Sequence, residues 1–598
     1  MKLPTLILAL TVCLTIARGT LADPVVTGEL KKWHRVTVTI DGLDTSETAE
    51  HSPFRDCRLV VAFSNGATTH VVQGYFAADG NAAETGAAGG NKWRAHFTPD
   101  EVGLWTYRVS FRAGTDVALS LDPEAGTPLV PDGSSGSFRI EPSGKSLPDL
   151  RAAGLLRCVG EHQLRFAESG RWFLKGGADS PENFLGYADF DGTRLSRQGR
   201  GGPHKGEAAP APLHRYEPHL GDWRPGDPTW KGDKGKGMIG ALNYLASEGM
   251  NSVYFLTMNV GGDGRDVWPW IDEDQRDRFD CSKLDQWEIV FSHMDKLGIM
   301  LHVITQEQEN DQLLDEGRLG PERRLYYREL VARFGHHPAV TWNLGEENTT
   351  TDAERKEFAK YIHDLDPYDH PVVVHTFPKK YDAVYEPLLG YRWFDGVSLQ
   401  TNDTHEQTLR WVERSAAAGK KWIVSLDEIG PAHTGVVPDA DDPGHNEVRK
   451  RHLWGNLMAG GAGVEWYFGY KYAHNDLNCE DWRSRDRLWD MTRHALDFFQ
   501  QHLPFHEMRP ADALTSDPDD YCLAKPGEVY AVYLPEGGTT AIDLGESTGT
   551  FTVAWYNPRT GGELVPGSVR TIAGPGKQSI GDPPGDRDRD WVALVETR

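Results

Sequence analysis

Hydrophobic and polar positions alternate with a period of two in the first part of the chain. The alternating segments between residues 27 and 140 are rich in β-branched and aromatic residues, and clusters of Gly, Asp, Asn and Pro separate them. They include HRVTVTI, CRLVVAF, KWRAHF and LWTYRVSF. Several short strands at this spacing are typical of two packed sheets. The pattern predicts an Ig-like β-sandwich over residues 23–143.

From about residue 155 to residue 500, short apolar segments alternate with helical segments. Eight of the apolar segments read as strands: RWFLKG, NSVYFLTM, IMLHVIT, AVTWNLG, PVVVHTF, DGVSLQT, KWIVSLD and GVEWYFG. Eight strand–helix units in this length predict a (β/α)8 TIM barrel over residues 150–503. A doubly wound sheet is the alternative, but it usually brings a Gly-rich phosphate loop, which the sequence lacks.

The clearest helical segment is CSKLDQWEIVFSHMDKLG, in which apolar residues recur at helical spacing. Ser282 is the expected N-cap, and Gly298 stands where the helix should end. A long connection at residues 192–236, rich in Gly, Pro, Lys and His, follows the first strand. In a barrel it would overhang the active-site face.

After about residue 505 the strand pattern returns in EVYAVYLP, TTAIDLG and TFTVAWYNPRTG. These segments predict a second β-sandwich over residues 504–598. The fold class expected from the whole pattern is therefore a multidomain chain in which two β-sandwich domains flank a TIM barrel.

Composition and charge limit the classes of molecule that the protein is expected to bind. The chain has 598 residues and a formal net charge of −25. That charge repels phosphate backbones and anionic membranes, so neither nucleic acid nor membrane insertion is expected. The sequence leaves the oligomeric state open.

The N-terminus reads as a targeting segment. Lys2 precedes the apolar run LPTLILALTVCLTIA, and the small residues of TLA precede Asp23. Residues 1–22 therefore predict a signal peptide, and the protein is expected to be secreted or periplasmic. The five cysteines beyond that segment are far apart and form no CxxC pair, so no metal site is expected from them.

Polar and aromatic residues gather at the predicted C-terminal ends of the barrel strands, where TIM-barrel active sites lie. In strand order they are Asp179, Glu182, Gln306, Asn343, Glu346, Glu347, His375, Gln400, Glu428 and Trp466. Carboxylates and amides bind hydroxyl groups, and an indole face covers the apolar face of a sugar ring. Phosphate would instead need Arg or Lys. The pattern favours a carbohydrate substrate.

Two of these residues suit glycoside hydrolysis, which needs one protonated and one ionised carboxyl group. Strands four and seven lie across a barrel from each other, so Glu347 and Glu428 could face one bond. A neighbouring negative charge and partial burial would raise the pKa of one of them, as a general acid requires. Regular alternation along IVSLDE would turn Asp427 away from Glu428, which favours a structural role for Asp427.

The same residues carry a family resemblance. TWNLGEEN resembles the strand-four motif Trp-x-x-Gly-Asn-Glu of the retaining TIM-barrel glycoside hydrolases of clan A, and WIVSLDEIG resembles the strand-seven end of that clan. The resemblance implies that Glu347 is the acid/base, that Glu428 is the nucleophile, and that no cofactor is needed. It matches Trp466 to the strand-eight tryptophan of the clan. Glu346 stands where the clan places an asparagine that binds the 2-hydroxyl of the sugar.

The flanking segments extend the resemblance. GELKKWHRVTVTI and KWRAHFTPDEVGLWTYRVSF resemble the Ig-like N-terminal module of bacterial polysaccharide-degrading enzymes. VYAVYLPEGGTTAIDL and VAWYNPRTGG resemble the small sandwich, named for collagen binding, that follows apiosidase-like barrels.

Two readings of function follow from the sequence. The first is a secreted glycoside hydrolase that cleaves O-glycosidic bonds of a poly- or oligosaccharide by a retaining two-glutamate mechanism. The second is a catalytically silent carbohydrate-binding or adhesion protein on a degenerate barrel. Glu346 in place of the asparagine and the resemblance of the last domain to a collagen-binding module favour this second reading. Separately, a structural reading of Glu346 and Glu347 is that they are solvated loop charges before a helix beginning near Thr351.

Overall fold

The computed structural model describes residues 23–197, 213–262, 264–431 and 433–597. The signal peptide predicted for residues 1–22 lies outside these ranges. An antiparallel sandwich, a closed barrel of eight parallel strands and a second antiparallel domain follow one another along the chain. This architecture confirms the predicted fold class.

The N-terminal domain consists of two antiparallel sheets, with strand order β1-β2-β6-β5 in one and β4-β3-β7-β8 in the other; β9 pairs with β7. Its elements are β1 (Val25–Gly28), β2 (Val36–Ser46), β3 (Cys57–Ser64), β4 (Thr69–Gln73), β5 (Tyr75–Phe76), α1 (Ala82–Thr85), β6 (Gly89–Phe97), β7 (Gly103–Ala113), β8 (Thr127–Pro128) and β9 (Ser135–Ile140). Aromatic side chains fill the space between the sheets. Phe63 stacks on Phe97 with ring centroids 4.3 Å apart, and Trp105 lies 4.9 Å from Phe97.

A small sheet closes the N-terminal end of the barrel. After α2 (Leu150–Ala153) it is formed by β10 (Leu156–Arg157), β11 (Leu164–Phe166) and β12 (Trp172–Phe173). Phe173 packs there against Met300 and Ile423, the first residues of two barrel strands. The segment RWFLKG is therefore divided, because its first part belongs to this sheet and the barrel begins only at Lys175.

The eight barrel strands run parallel, and the last pairs with the first to close the ring. They are β13 (Lys175–Ala178), β14 (Ser252–Leu256), β15 (Met300–Ile304), β16 (Val340–Asn343), β17 (Val372–Thr376), β18 (Gly396–Gln400), β19 (Ile423–Glu428) and β20 (Gly463–Trp466). The helices around them are α3 (Lys236–Ser247), α4 (Cys281–Leu297), α5 (Pro321–Phe334), α6 (Asp352–Leu365), α7 (Tyr381–Tyr385), α8 (Thr404–Ala417), α9 (Trp454–Met458) and α10 (Asp486–His502).

Local capping explains where two of these helices begin and end. In α4 the cap is Asp280, whose side chain accepts a hydrogen bond from the backbone of Lys283, so the expectation of Ser282 was wrong by two residues. Gly298 ends the helix in a left-handed conformation, as expected. Thr351 caps α6 and forms a capping box with Glu354.

Buried charges cross-link the barrel interior. The Lys175 ammonium donates to Asp427 and lies 2.9 Å from Glu465, and His302 Nδ1 lies 2.7 Å from Glu465. Burial opposes ionisation of Glu465, but the charges of Lys175 and His302 lower its pKa to about 2. Asp427 takes part in this cluster through its contact with Lys175, which is the structural role expected from the sequence.

The C-terminal domain contains a six-stranded sheet in the order β21-β22-β23-β28-β25-β26 and the pair β24-β27. Its strands are β21 (Arg509–Pro510), β22 (Tyr521–Lys525), β23 (Val529–Leu534), β24 (Ala541–Asp543), β25 (Gly549–Tyr556), β26 (Thr571–Gly574), β27 (Lys577–Ser579) and β28 (Trp591–Thr597). The domain packs on the barrel, where Arg449 binds Asp590 at 2.8 Å and Trp454 stacks on Tyr533. Within the described residues no helix has the length and apolar character needed to cross a membrane.

The interior charge cluster gives the first prediction. Lys175→Met removes the cation and leaves Asp427 and Glu465 buried with the same sign of charge. We expect the free energy of unfolding of the barrel to fall by about 3–5 kcal/mol, measured by guanidinium denaturation. The matched control is Lys360→Met in an exposed pair with Asp364, which should cost less than about 0.5 kcal/mol. Equal losses in the two variants would contradict the role of the cluster.

Candidate active site

The turn after β16 directs two glutamates toward the C-terminal mouth of the barrel. Asn343 ends the strand, and its side-chain oxygen accepts a hydrogen bond from the backbone of Gly345 at 3.2 Å. Gly345 has φ 127°, and a Cβ there would lie 2.5 Å from the amide nitrogen of Gln306. Only glycine fits this position. Glu347 itself has φ 45°, a conformation that costs energy for a non-glycine residue and is often retained at functional sites.

A register shift brings Glu428 to the same mouth. Leu399 pairs with Leu426, but the next residue, Gln400, pairs with Glu428, so Asp427 is an extra residue in β19. Asp427 points into the barrel interior, where it accepts from Lys175. Because of this bulge, Asp427 faces the barrel interior while the next residue, Glu428, faces the mouth.

Glu346, His375 and Glu428 meet at the centre of the mouth. One ring nitrogen of His375 and one carboxyl oxygen from each glutamate lie within 4.8 Å of one another. His375 Nε2 is 3.4 Å from a carboxyl oxygen of Glu428, and His375 Nδ1 is 3.5 Å from the hydroxyl of Tyr254. His375 is fully buried, and Glu428 is almost so.

Glu347 has a strongly perturbed carboxyl group. Burial and then the negative charge of Glu428 raise the pKa of Glu347 to about 8, against smaller opposing effects of His375 and a hydrogen bond with Gln400. Burial first, with the charges of Glu428 and Glu347, raises the pKa of Glu346 to about 8 as well, against the opposing effects of His375 and a hydrogen bond with Tyr254. Glu347 is therefore mostly protonated at neutral pH, as a proton donor must be. Neither glutamate is a solvated loop charge.

The other expected site residues divide into two groups. Gln400 joins the site through its hydrogen bond with Glu347, and the charge of Glu182 acts on Tyr254 and Tyr467, which places Glu182 nearby. Gln306 and Asn343 are buried and hydrogen-bonded within the protein.

The side chains of Gln306 and Asn343 hold the strand ends in place. The amide nitrogen of Gln306 donates to the backbone oxygen of Leu344 at 2.8 Å, and its oxygen accepts from Arg323 at 2.9 Å. The backbone oxygen of Gln306 accepts from Glu346. These two amides therefore position the strand-four turn, and the substrate-binding role expected for them stays a prediction.

Trp466 does not line the mouth. Glu465 faces the barrel interior, so alternation along β20 turns Trp466 outward, where its indole N–H donates to Thr492 of α10 at 2.9 Å. Trp466 is fully buried there. The next residue, Tyr467, takes the position by the mouth, since the charges of Glu428 and Glu182 act on it. Trp466 thus lies on the opposite side of the strand from the one expected, and Tyr467 is the aromatic residue beside the carboxyl groups of the mouth.

Sequence reasoning missed Tyr254, Tyr467 and Asp476. Alternation along β14 would have shown that Ser252 and Tyr254 share the inner face, because both lie in one predicted strand. Asp476 lies in the connection after the eighth strand, and its carboxyl accepts from the backbone of Glu182 at 3.3 Å. No pattern in the sequence marks that contact.

The long connection after β13, as far as the structure describes it, forms hydrogen bonds and ion pairs with the connection after β20. His214 Nδ1 lies 2.8 Å from a carboxyl oxygen of Glu480, and the backbone of Arg215 donates to the same side chain. His219 packs between Asp222 and Asp481. Residues 198–212 of this connection are outside the described ranges.

Three groups of His and carboxylate side chains in the described residues are compact enough to bind a metal ion: Glu288 with His336 and His337, His302 with Asp427 and Glu465, and Glu346 with His375 and Glu428. The first already contains the cation of Arg35, and the second that of Lys175. The third is the centre of the mouth.

Two family models match the flanking domains. Residues 29–112 match "Domain of unknown function (DUF5060)", and residues 512–596 match "Putative collagen-binding domain of a collagenase". No curated protein matches the chain.

Solved structures resemble the chain over most of its length. A putative glycoside hydrolase from Bacteroides vulgatus is 15% identical with a TM-score of 0.63, covering 95% of this chain and 99% of that one. A glycoside hydrolase family 5 structure from the same organism is 14% identical with a TM-score of 0.52, covering 76% and 96%. A third structure, described as a glycoside hydrolase, is 14% identical with a TM-score of 0.53, covering 76% and 99%. The chain shares the multidomain barrel fold of these glycoside hydrolases.

Proposed function

We propose that this chain hydrolyses O-glycosidic bonds of a poly- or oligosaccharide. The observation that carries the proposal is a pair of carboxyl groups at the barrel mouth, in which burial and the nearby charge of Glu428 raise the pKa of Glu347 to about 8. Glycosidases need this pair of unequal carboxyl groups. The fold shared with solved glycoside hydrolases supports the same reaction class.

In the first step of the proposed reaction, Glu347 protonates the leaving oxygen while Glu428 attacks the anomeric carbon. The bond to the leaving group breaks, and a glycosyl ester of Glu428 forms. The ester no longer carries the negative charge that raises the pKa of Glu347, so that pKa falls and Glu347 is ready to act as a base. In the second step Glu347 takes a proton from water, which attacks the ester and releases the sugar.

Neighbouring side chains position the two glutamates. His375, 3.4 Å from Glu428, orients the nucleophile, and Tyr254 holds the other ring nitrogen of His375. Gln400 positions the carboxyl of Glu347 by a hydrogen bond. None of these roles needs a cofactor. The predicted signal peptide supports an action outside the cytoplasm.

The first test measures the release of reducing ends from a panel of poly- and oligosaccharides. We expect the wild type to be active, Glu428→Gln to be inactive, and Glu347→Gln to lose about 10²–10⁴-fold in kcat because the leaving oxygen is not protonated. Glu546→Gln, at an exposed position of the C-terminal domain, is the control and should keep full activity. NMR of the first product should show retention of the anomeric configuration.

Two results of this panel would count against the proposal. If glycans are retained by the protein but none releases reducing ends, the barrel is a carbohydrate-binding protein. If Glu346→Gln abolishes activity and Glu347→Gln does not, the proton donor is Glu346 and the assignment is wrong.

The pH dependence gives a second test. Glu347 must be protonated, so kcat/KM should fall as the pH rises through about 8. The hydrogen bond from Gln400 favours ionised Glu347, so Gln400→Met should raise the pKa of Glu347 and move this limb to higher pH. A shift to lower pH, measured with the same substrate, would exclude Glu347 as the titrating acid.

A further inference from the structure

Two buried carboxyl groups beside the proposed catalytic pair have oxygen atoms without a hydrogen-bond partner, although Glu346 also makes one hydrogen bond with Tyr254. Asp179, directly after β13, is 1% exposed, and neither of its carboxyl oxygens makes a hydrogen bond. Glu346 is 6% exposed, and its Oε2 likewise has no hydrogen-bond partner. Among neighbouring charges, that of Glu346 acts most strongly on Asp179, so the two groups are adjacent.

The same barrel shows how its other buried carboxyl groups are compensated. Asp427 and Glu465 share the ammonium of Lys175, and Glu465 also contacts His302. Leaving an ionised carboxylate buried without such a partner costs several kcal/mol. Asp179 is buried without such a partner at the functional end of the barrel, where such groups commonly serve a ligand.

The surroundings of Asp179 contain only more negative charge. Burial first, and then the charges of Glu346, Asp476 and Glu428, raise the pKa of Asp179 well above its usual range. The charge of His375 lowers the pKa of Glu346, but His375 already contacts the carboxyl group of Glu428. Asp179 therefore keeps its proton in the free protein, and a ligand that brings a cation would allow it to ionise.

We propose that Asp179 and Glu346 form a subsite for a protonated amino group of the sugar, so that the substrate is a glycan of amino sugars with free amines. An ammonium group has three N–H donors, and the three oxygens without partners, two on Asp179 and one on Glu346, are its acceptors. This inference rests on the proposed function, because that function places a sugar ring beside Glu428.

Two other ligands fit the subsite less well. A hydroxyl group would satisfy one or two acceptors but would bring no positive charge to offset the repulsion among the carboxyl groups of the mouth. A metal ion bound by Glu346 would also contact Glu428 and His375, which lie within 4.8 Å, and would occupy the proposed nucleophile. A sugar amine supplies the positive charge and leaves Glu428 available for reaction.

The test is calorimetric titration of the full mature chain with three amino sugars and their 2-hydroxy parents. The probes are glucosamine, galactosamine and mannosamine, against glucose, galactose and mannose, so that each pair differs in the amine and its charge. We expect at least one amino sugar to bind about tenfold or more tightly than its parent at low ionic strength. Binding should release protons, because Asp179 ionises when it meets the ammonium, and buffers of different ionisation enthalpy measure that release.

Variants of Asp179 and Glu346 test whether these two residues cause the preference for amino sugars. Asp179→Asn and Glu346→Gln keep the shape but remove the charge, and each should lose most of the preference for the amino sugar. Asp588→Asn and Glu546→Gln, at exposed positions of the C-terminal domain, are the matched controls and should keep it. In the free protein Asp179→Asn should raise the melting temperature, since the neutral amide is buried without the proton uptake that the carboxyl group needs on folding. A structural role for Asp179 would give a lower melting temperature.

Three results would overturn the inference. They are equal binding of the amino sugars and their parents, no binding of any amino sugar, or binding of Ca²⁺ or Mg²⁺ alone that both site variants abolish. Failure of the proposed function is distinguishable. A chain that prefers amino sugars but releases no reducing ends from any glycan retains the subsite and loses only the catalytic proposal. A chain that hydrolyses neutral glycans and ignores amino sugars retains the catalytic proposal alone.

Discussion

The site depends on one constraint, the repulsion among buried carboxyl groups at one end of the barrel. Each of these groups must be protonated, paired with a cation or supplied with a ligand, because a buried ionised carboxylate alone is expensive. The barrel uses different solutions at different depths. In the interior Lys175 compensates Asp427 and Glu465, while at the mouth Glu347 remains protonated beside Glu428.

The difference between these two depths gives the site its chemistry. Interior ion pairs hold the strands together and fix the positions of the strand ends. At the mouth no cation among the described residues pairs with the carboxyl group of Glu347, and its pKa is raised as a result. One bulge in β19 separates the two uses, since Asp427 faces inward and Glu428 faces the mouth. Consecutive residues therefore belong to the stabilising network and to the proposed catalytic pair.

Much of the fold could be predicted from the sequence. Alternation with a period of two indicated both sandwiches, and eight strand–helix units indicated the barrel, because these periods follow directly from backbone geometry. The first barrel strand was placed too early, since an apolar segment that caps the barrel end has the same pattern as a barrel strand. The candidate pair Glu347 and Glu428 also followed from position, as parallel strand ends meet at one face.

The sequence by itself determined the order of the domains, the barrel and the crowding of acidic residues at its C-terminal end, because periodicity and residue type are local properties. Only the tertiary structure decided which of those residues face one another. Trp466 turned behind the strand, Tyr467 took its place, and Gln306 and Asn343 were used to hold the strand-four turn. The physical reason is that a bulge or a one-residue change of direction reverses the face of a side chain. Partners distant in the chain, such as Lys175 and Asp427, then decide which carboxyl groups are compensated and which remain for a ligand.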